Sequence, residues 1–306
     1  LKSFIHLFEI PKNYYFYDVN RNENVQVEKD VYEYLKKILR DEIEENNRDL
    51  DIEKEIQMLK EEGYLSDNRV KEIKHPATDL LETYLSRKMK MLIIQLTQNC
   101  NLRCEYCPYT YNDGTDRLHQ NRDIDFETIK KALHILKDNS VDSEDISVSF
   151  YGGEPLIRFD LIKKTVNYCR KIFVGKSVSF SLTTNATLFT EEIMNFFENE
   201  NFNILISLDG PKYLNDKNRK FFNSEKSVFD KVIANLKTIE KNHKKLFTNI
   251  SLNMVIDPTV RLGDYALLFK DYTILNRVSI RASILEDYTI ENKFKFTENF
   301  RKQYME

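Results

Sequence analysis

Three of the four cysteines in this 306-residue chain lie in the stretch NCNLRCEYC, at Cys100, Cys104 and Cys107. Cysteines that only pack in a core have apolar neighbours, whereas these are flanked mainly by Asn, Arg and Glu. A structural zinc site closes with four ligands, and the remaining cysteine, Cys169, falls in a distant predicted helix where core packing accounts for it. Three clustered thiolates alone suit an iron–sulfur cluster with one iron left open. We therefore favour a cluster over zinc or core thiols.

Three further polar stretches follow predicted strands: YGGEPL at 151–156, TTNATL at 183–188 and ISLDGP at 206–211. The carboxyl ends of parallel strands meet at one rim, so we expect these stretches to converge on the cysteines. Each also has a plainer interpretation. The glycine pair suits a simple turn, Asp-Gly-Pro is a good loop sequence, and the nearby Arg219 is of a type usually found solvated.

A regular alternation of strands and helices from residue 91 onward would position these stretches. Apolar runs alternate with amphipathic segments such as FETIKKALHILKD, which predicts parallel β/α units. Six units are too few for a closed eight-fold barrel. The prediction is an α/β fold with a partial (β/α)6 TIM-like barrel over 91–290, preceded by a linker or helix over 76–90. The start of a C-terminal extension is expected over 291–306. The predicted strands are MLIIQLT, ISVSFYG, VSFSLTT, NILISL, NISLNMVI and RVSIRASI.

Residues 1–75 do not show this regular alternation and consist of short segments of mixed composition. FIHLFEI, YYFYDV and NVQVEK are rich in aromatic and β-branched residues and predict three short strands. DVYEYLKKIL then predicts a helix capped by Asp30, with an apolar face of Val31, Tyr34, Leu35 and Ile38. A second helix, DIEKEIQMLKEEGYL, should end at Gly63. This pattern predicts a small α+β winged-helix domain.

The spacing CxxxCxxC with an aromatic before the third cysteine, followed in order by the three polar stretches, resembles the radical S-adenosylmethionine (radical SAM) superfamily. The resemblance implies a 4Fe–4S cluster on the three cysteines and S-adenosylmethionine (SAM) on its open iron. In the family GGEP holds the methionine amino group and the strand-end residues contact ribose, carboxylate and other polar groups, while an aromatic packs on adenine. No general base can be assigned. The residues expected to contact SAM are Tyr106, Gly152, Gly153, Glu154, Pro155, Asn185, Ser207, Asp209 and Arg219.

The stretch SLDGPKYLNDKNRKFFN further resembles peptide maturases that carry a C-terminal SPASM or twitch extension. Residues 1–75 resemble a RiPP recognition element, which binds the leader of a ribosomally made precursor peptide. The expected leader surface is an edge strand near 24–30 with the helix at 31–39 beside it. The resemblance implies hydrogen abstraction from the precursor, with thioether cross-linking as the favoured outcome, and an electron donor such as flavodoxin or ferredoxin. No cysteine follows Cys169, so auxiliary clusters would need residues beyond 306, and we expect the chain to be truncated.

Two alternatives stay open at this stage. One is a sulfatase-maturase-like radical SAM enzyme that makes formylglycine, a type that normally lacks a leader-binding module. The other is a metal-binding regulator with a winged-helix DNA-binding head, although the predicted helices of residues 1–75 carry more acidic than basic side chains.

Composition narrows the class of protein. The formal net charge is -3 with 31% charged residues, which gives no reason to expect nucleic acid or a membrane as the main partner. No apolar run is long enough for a membrane span and no signal peptide is visible. Four cysteines do not make a disulfide framework. We expect a cytoplasmic protein.

Overall fold

The computed structural model describes residues 2–40, 42, 50–110, 118–285 and 295–305. The chain divides into two compact units, Leu1–Thr78 and Asp79–Glu306.

The first unit is a three-stranded antiparallel sheet with two helices. The strands are β1 (Ile5–Ile10), β2 (Asn13–Asp18) and β3 (Glu23–Val27), in the order β1-β2-β3. The helices are α1 (Lys29–Arg40) and α2 (Leu50–Glu61). These elements confirm the predicted strands and helices, and Gly63 follows α2 at a positive φ of 90°.

One detail of α1 differs from its prediction. The helix begins at Lys29, so Asp30 lies in its first turn rather than at its cap. Tyr32 is buried, whereas Tyr34 and Ile38 only pack at the edge of the core. The apolar face is rotated because the aromatic residues of β2 cover the start of the helix, and the Tyr14 ring packs at a tilt against Tyr32 with ring centroids 5.2 Å apart.

The second unit is built on a six-stranded parallel sheet with strands in sequence order. The six predicted strands are confirmed, and so is the α/β partial barrel. The strands are β4 (Met91–Gln95), β5 (Asp145–Tyr151), β6 (Ser177–Thr184), β7 (Asn203–Ser207), β8 (Ile250–Ile256) and β9 (Ser279–Ile284).

Helices connect these strands and cover one face of the sheet. Alternate strand residues such as Ile146, Val148 and Phe150 are buried against the helices, as the two-residue period of a strand requires. The helices are α3 (Leu81–Arg87), α4 (Phe126–Asp138), α5 (Phe159–Ile172), α6 (Glu191–Asn199), α7 (Lys212–Asn218), α8 (Val228–Asn242), α9 (Lys244–Thr248), α10 (Ala266–Asp271) and α11 (Glu298–Met305). Short 3-10 turns span Pro76–Leu80, Pro155–Arg158, Leu262–Tyr265 and Thr273–Arg277.

Within the described ranges, no helix is long and apolar enough to cross a membrane. The predicted C-terminal extension is described only over 295–305, and its remaining residues lie outside the described part.

Candidate functional site

The three clustered cysteines lie in the loop that follows β4, at the carboxyl end of the sheet. They line one cavity of about 220 Å³. Ends of the neighbouring strands complete its wall, so stretches far apart in sequence converge as expected. From the predicted SAM contacts, the cavity is lined by Tyr106, Gly152, Gly153, Asn185, Ser207 and Arg219.

Backbone and guanidinium contacts fix the cysteine loop. The Arg103 Nη1 donates to the carbonyl oxygens of Cys100 and Leu102, both at 2.8 Å. The Arg103 N–H donates to the Lys220 carbonyl at 2.8 Å and the Glu105 N–H donates to the Asn218 carbonyl at 2.8 Å. The segment after α7 therefore runs beside the loop and holds its shape.

The donor set fits an iron–sulfur cluster. Burial raises the pKa of the Cys100 thiol to about 11 and of the Cys104 thiol to about 12, and it also raises the pKa of Cys107. A bound metal cation favours the thiolate form against this effect. Among the described residues, no three Cys, His, Asp or Glu side chains converge on a single metal ion. A 4Fe–4S cluster instead binds each thiolate through a different iron. Cys169 is fully buried in α5 and belongs to the core, as predicted.

The glycine pair of YGGEPL lets β5 approach the cysteine loop. A β-carbon on Gly152 would lie 2.5 Å from the Thr97 carbonyl oxygen, and one on Gly153 would lie 2.1 Å from the Asn99 carbonyl oxygen. The Gly153 N–H donates to the Thr97 carbonyl at 2.8 Å, and the Glu154 N–H to that of Asn99 at 2.8 Å. The glycines are therefore required by backbone contact and not only by a turn.

Glu154 is buried behind the cavity and links two strand ends. Its Oε1 accepts from the Leu156 N–H at 3.0 Å and from the Thr184 hydroxyl at 2.7 Å, while its Oε2 accepts from the Asn185 N–H at 2.8 Å. Burial raises its pKa, and these three donors oppose that effect. The carboxylate does not line the cavity here, and Pro155 is likewise buried, at the start of a 3-10 turn.

Asn185 faces the cysteines directly. Its Nδ2 donates to Asn101 Oδ1 at 2.9 Å and lies 3.8 Å from the Cys100 Sγ, while its Oδ1 accepts from the Thr187 hydroxyl at 2.6 Å. The side chain therefore joins the end of β6 to the cysteine loop.

Tyr106, Asp209 and Arg219 form a buried polar cluster. The Tyr106 hydroxyl donates to Asp209 Oδ2, and the Arg219 Nη1 donates to Tyr106 at 2.8 Å and lies 3.4 Å from Asp209 Oδ2. The Asp209 Oδ1 accepts from the Val255 N–H at 3.0 Å, and Asp209 does not line the cavity. The Arg219 Nε is buried with no hydrogen-bond partner in the described part of the chain, so one donor of the guanidinium is unsatisfied.

Burial raises the pKa of Tyr106, and the positive charge of Arg219 opposes the shift. Burial opposes the positive charge of Arg219, but the Asp209 carboxylate and the hydrogen bond to Tyr106 outweigh it and raise the pKa of Arg219.

Several residues that line the cavity are not among the SAM contacts predicted from the sequence. Tyr109, His119 and Tyr151 also line the cavity, and the Tyr109 hydroxyl accepts from Gln95 Nε2 at 2.7 Å. Burial lowers the pKa of His119 to about 4, so the imidazole is neutral near pH 7. His119 lies outside every motif, and no local pattern in the sequence marks it.

Comparison with known proteins gives the family. Residues 94–290 match the profile described as "Radical SAM superfamily", which covers more than half of the chain. The chain belongs to the radical SAM superfamily, whose cofactors are a 4Fe–4S cluster and SAM.

Individual curated proteins and solved structures are also similar to this chain. The chain is 32% identical over 167 residues to a cysteine-type anaerobic sulfatase-maturating enzyme of Clostridium novyi, covering 51% of this chain and 41% of that protein. Among solved structures, "Native anSMEcpe with bound AdoMet" has a TM-score of 0.59 at 21% identity, covering 71% of this chain and 58% of that one. Streptococcus suis SuiB bound to precursor peptide SuiA has a TM-score of 0.51 at 17% identity, covering 100% of this chain and 69% of that one.

These structural likenesses establish the fold. The matches span less than half the length of the first curated relatives.

Proposed function

We propose that this chain binds SAM and the leader of a precursor peptide and acts as a radical SAM peptide maturase. It would bind a ribosomally made precursor peptide through residues 1–75 and abstract a hydrogen atom from a residue of that peptide. Formation of a thioether cross-link is the product we favour. The single observation that carries the radical SAM chemistry is the shared cavity, in which three cysteine thiols and the ends of neighbouring parallel strands face one another.

The roles of the site residues follow from their positions. Cys100, Cys104 and Cys107 would hold the cluster, which when bound supplies one electron for reductive cleavage of SAM to methionine and a 5'-deoxyadenosyl radical. Arg219 would receive the SAM carboxylate, since it is a guanidinium and its Nε has no other partner among the described residues.

Ser207 is at the cavity wall, where it suits the ribose, and Asn185 suits the polar groups of SAM. Glu154, Asp209 and Pro155 would act through the loops they hold. The buried walls would exclude water from the reacting atoms.

The cavity-facing side of the sheet suits a peptide substrate. Strand residues in phase with Tyr151, Thr183 and Asn253 share their face, and most are small and uncharged. Small hydroxyl side chains leave room for a bulky chain and offer hydrogen bonds to its backbone. These residues include Ser147, Ser149, Ser179, Ser181, Ser251, Ser279 and Ser283.

The first unit offers a surface for a leader peptide. The strand β3 is at the edge of its sheet, and within the described residues no strand pairs with its outer side. An extended leader could add there as a fourth strand, with α1 following directly at Lys29. The likeness to the fold of SuiB extends over this unit, because that alignment covers 100% of the chain.

A sulfatase-maturating function is the second candidate, favoured by the 32% identity to the Clostridium novyi enzyme. The two candidates differ in their use of the first unit. Deleting residues 1–78 should abolish modification of a leader-bearing peptide by a maturase, while SAM cleavage driven by dithionite continues. If modification of the peptide also continues, leader binding by this unit is wrong.

The radical SAM function is tested by anaerobic reconstitution with iron and sulfide, followed by measurement of 5'-deoxyadenosine. Cys100→Ala, Cys104→Ala and Cys107→Ala should each abolish SAM cleavage. Cys169→Ala is the matched control and should retain it, because Cys169 is buried in the core away from the cavity. A colourless protein that binds only zinc would rule the proposal out. Co-expression with a candidate precursor peptide, followed by mass spectrometry of that peptide, would identify the bond formed.

A further inference from the structure

A second cleft borders the cysteine loop. It measures about 440 Å³ and is lined by residues of the loop and of the segment after α7. Cys100 lines both this cleft and the SAM cavity, and the two share no other residue. The remaining lining residues of the second cleft are Asn99, Asn101, Arg103, Ile157, Phe221, Phe222, Asn223 and Ser224.

The cleft carries an exposed aromatic ring on a fixed backbone. The Phe222 side chain is 59% exposed, yet its N–H donates to the Asn101 carbonyl at 3.0 Å. Leu102 and Phe221 form an antiparallel bridge beside it. The backbone that carries the ring is therefore held by the cysteine loop, while the ring itself stays exposed.

Arg103 joins this ring to the cluster ligand. Its guanidinium lies 4.1 Å from the Phe222 ring centroid and donates to the Cys100 carbonyl oxygen at 2.8 Å. An arginine stacked on an aromatic ring is a favourable contact, and both residue types are enriched at protein–protein interfaces. A partner seated on Phe222 would thus be one side chain away from the backbone of Cys100.

The charges around the cleft favour an acidic partner. Arg103, Arg122 and Lys226 have no carboxylate partner in the described part of the chain, whereas Glu225 is the unpaired carboxylate near them. Arg122 precedes Asp123 and its carbonyl accepts from the Gln98 N–H at 2.9 Å, which places it beside the loop.

The other charged groups at the cleft are already paired. Lys220 pairs with Glu105 at 3.0 Å, and Arg158 beside Ile157 pairs with Asp160 at 3.1 Å and with Asp123 at 2.5 Å. The unpaired groups around Phe222 are therefore mainly positive.

We propose that this surface, defined by Arg103, Phe222, Asn223 and Lys226 and here called the Phe222 surface, docks a small acidic one-electron donor protein of the flavodoxin or ferredoxin type. The proposal rests on the proposed radical SAM function. The donor loses one electron and the cluster gains it, through the side of the loop on which Cys100 borders the second cleft. SAM and substrate keep the other cavity, so reduction and substrate binding do not compete for one surface.

The test compares two reductants on the reconstituted full chain. The double variant Phe222→Ser/Lys226→Glu and the single variant Arg122→Glu are assayed for 5'-deoxyadenosine with photoreduced flavodoxin and with sodium dithionite. With flavodoxin we expect the initial rate to fall by about tenfold in the double variant and by a smaller factor in the single variant, because contact and electrostatic steering are lost. With dithionite, a small ion that needs no docking, the rate should stay within about twofold.

The matched control is Val174→Ser/Lys237→Glu, which makes the same change of charge at an exposed apolar residue and an exposed lysine elsewhere; Val174 is 83% exposed. It should change neither rate. Raising the ionic strength from about 0.05 to about 0.5 M should slow only the flavodoxin-driven reaction of the wild type.

An unchanged flavodoxin rate in both the double variant and Arg122→Glu overturns the proposal, and so does an equal loss with both reductants. If the wild type cleaves no SAM even with dithionite, the proposed function itself has failed. Flavodoxin affinity for the oxidised, reconstituted protein then still reports on the surface, and equal affinity of wild type and variants overturns the docking proposal separately.

Discussion

Gly153 and Asn99 are in such close contact that a β-carbon on the glycine would lie 2.1 Å from the asparagine carbonyl oxygen. The contact joins the end of β5 to the cysteine loop one residue before Cys100. The loop that would hold the cluster can therefore adopt this conformation only because residue 153, which follows β5, has no side chain.

Gly153→Ala should displace the cysteine loop. The added methyl group meets backbone, which cannot rotate away, so we expect a loss of about 1–3 kcal/mol in the free energy of unfolding and a lower iron content after reconstitution. Urea unfolding and iron analysis measure the two effects. Gly263→Ala is the control, because nothing lies within 4 Å of its added β-carbon. Normal iron content in Gly153→Ala would show that the loop adapts.

Glu154→Gln tests whether this residue acts through the loop at the end of β6. Glutamine has the same shape as glutamate, but its NH2 group takes the place of one accepting oxygen. That group must face at least one of the three hydrogen-bond donors that now bond to the carboxylate, at a cost of about 1–3 kcal/mol. SAM affinity should fall while iron content is retained, as measured by SAM binding to the reconstituted protein. Thr184→Val removes one of the donors, at 2.7 Å, and leaves the carboxylate. It should weaken SAM binding in part. Full SAM affinity in Thr184→Val with loss in Glu154→Gln would instead favour direct contact between Glu154 and SAM.

Local patterns in the sequence were sufficient to predict the six strands of the second unit and the meeting of their loops. Alternating buried residues such as Val148 and Phe150 identify a strand from a few neighbours, and parallel strands bring their carboxyl ends together without further information. Cys169 was predictable for the same reason, since it falls on the apolar face of its helix.

The partners of the motif residues could not be predicted in this way. The contact of Tyr106 with Asp209 spans 103 residues and that of Asn185 with Asn101 spans 84. Such pairs depend on how the strand-end loops pack, and no spacing in the sequence encodes that. The packing of Tyr106 on adenine therefore stays a prediction, and the structure adds that its hydroxyl is already bonded to Asp209.

Arg219→Lys should weaken SAM binding even though the substitution keeps the positive charge. Lysine keeps the positive charge but loses the planar array of donors, including the Nε that has no partner in the described residues. Loss of a hydrogen bond to a charged group corresponds to about 1.5–3 kcal/mol, or roughly 10–150-fold in the dissociation constant. Equilibrium binding of SAM to the reconstituted protein measures it. Lys220→Gln, next in sequence and 55% exposed, is the control and should leave the affinity unchanged. Equal affinity in Arg219→Lys would remove Arg219 from the SAM site.

Asp257 holds the end of α7, immediately before Arg219. Its Oδ2 accepts from Lys217 Nζ at 2.7 Å and from Asn218 Nδ2 at 3.1 Å, and its Oδ1 accepts from the Thr259 hydroxyl at 2.6 Å. Burial opposes ionisation of this carboxyl, but these donors outweigh it and lower its pKa from the ordinary 3.8. A carboxyl with a lower pKa in the folded state adds stability above its unfolded pKa, and that stability is lost as pH falls through the folded value.

Asp257→Asn should therefore destabilise the fold in a pH-dependent way. Near pH 7 we expect a loss of about 2–3 kcal/mol, because the charge-assisted bond to Lys217 is removed. The deficit should shrink as the pH falls below 3.8, where the wild type loses the same contribution by protonation. Urea unfolding over a pH series, followed by circular dichroism, measures both. Asp138→Asn, at an exposed position at the end of α4, should show no deficit at any pH. A deficit of constant size from neutral to acid pH would mean that Asp257 contributes through shape rather than through its charge.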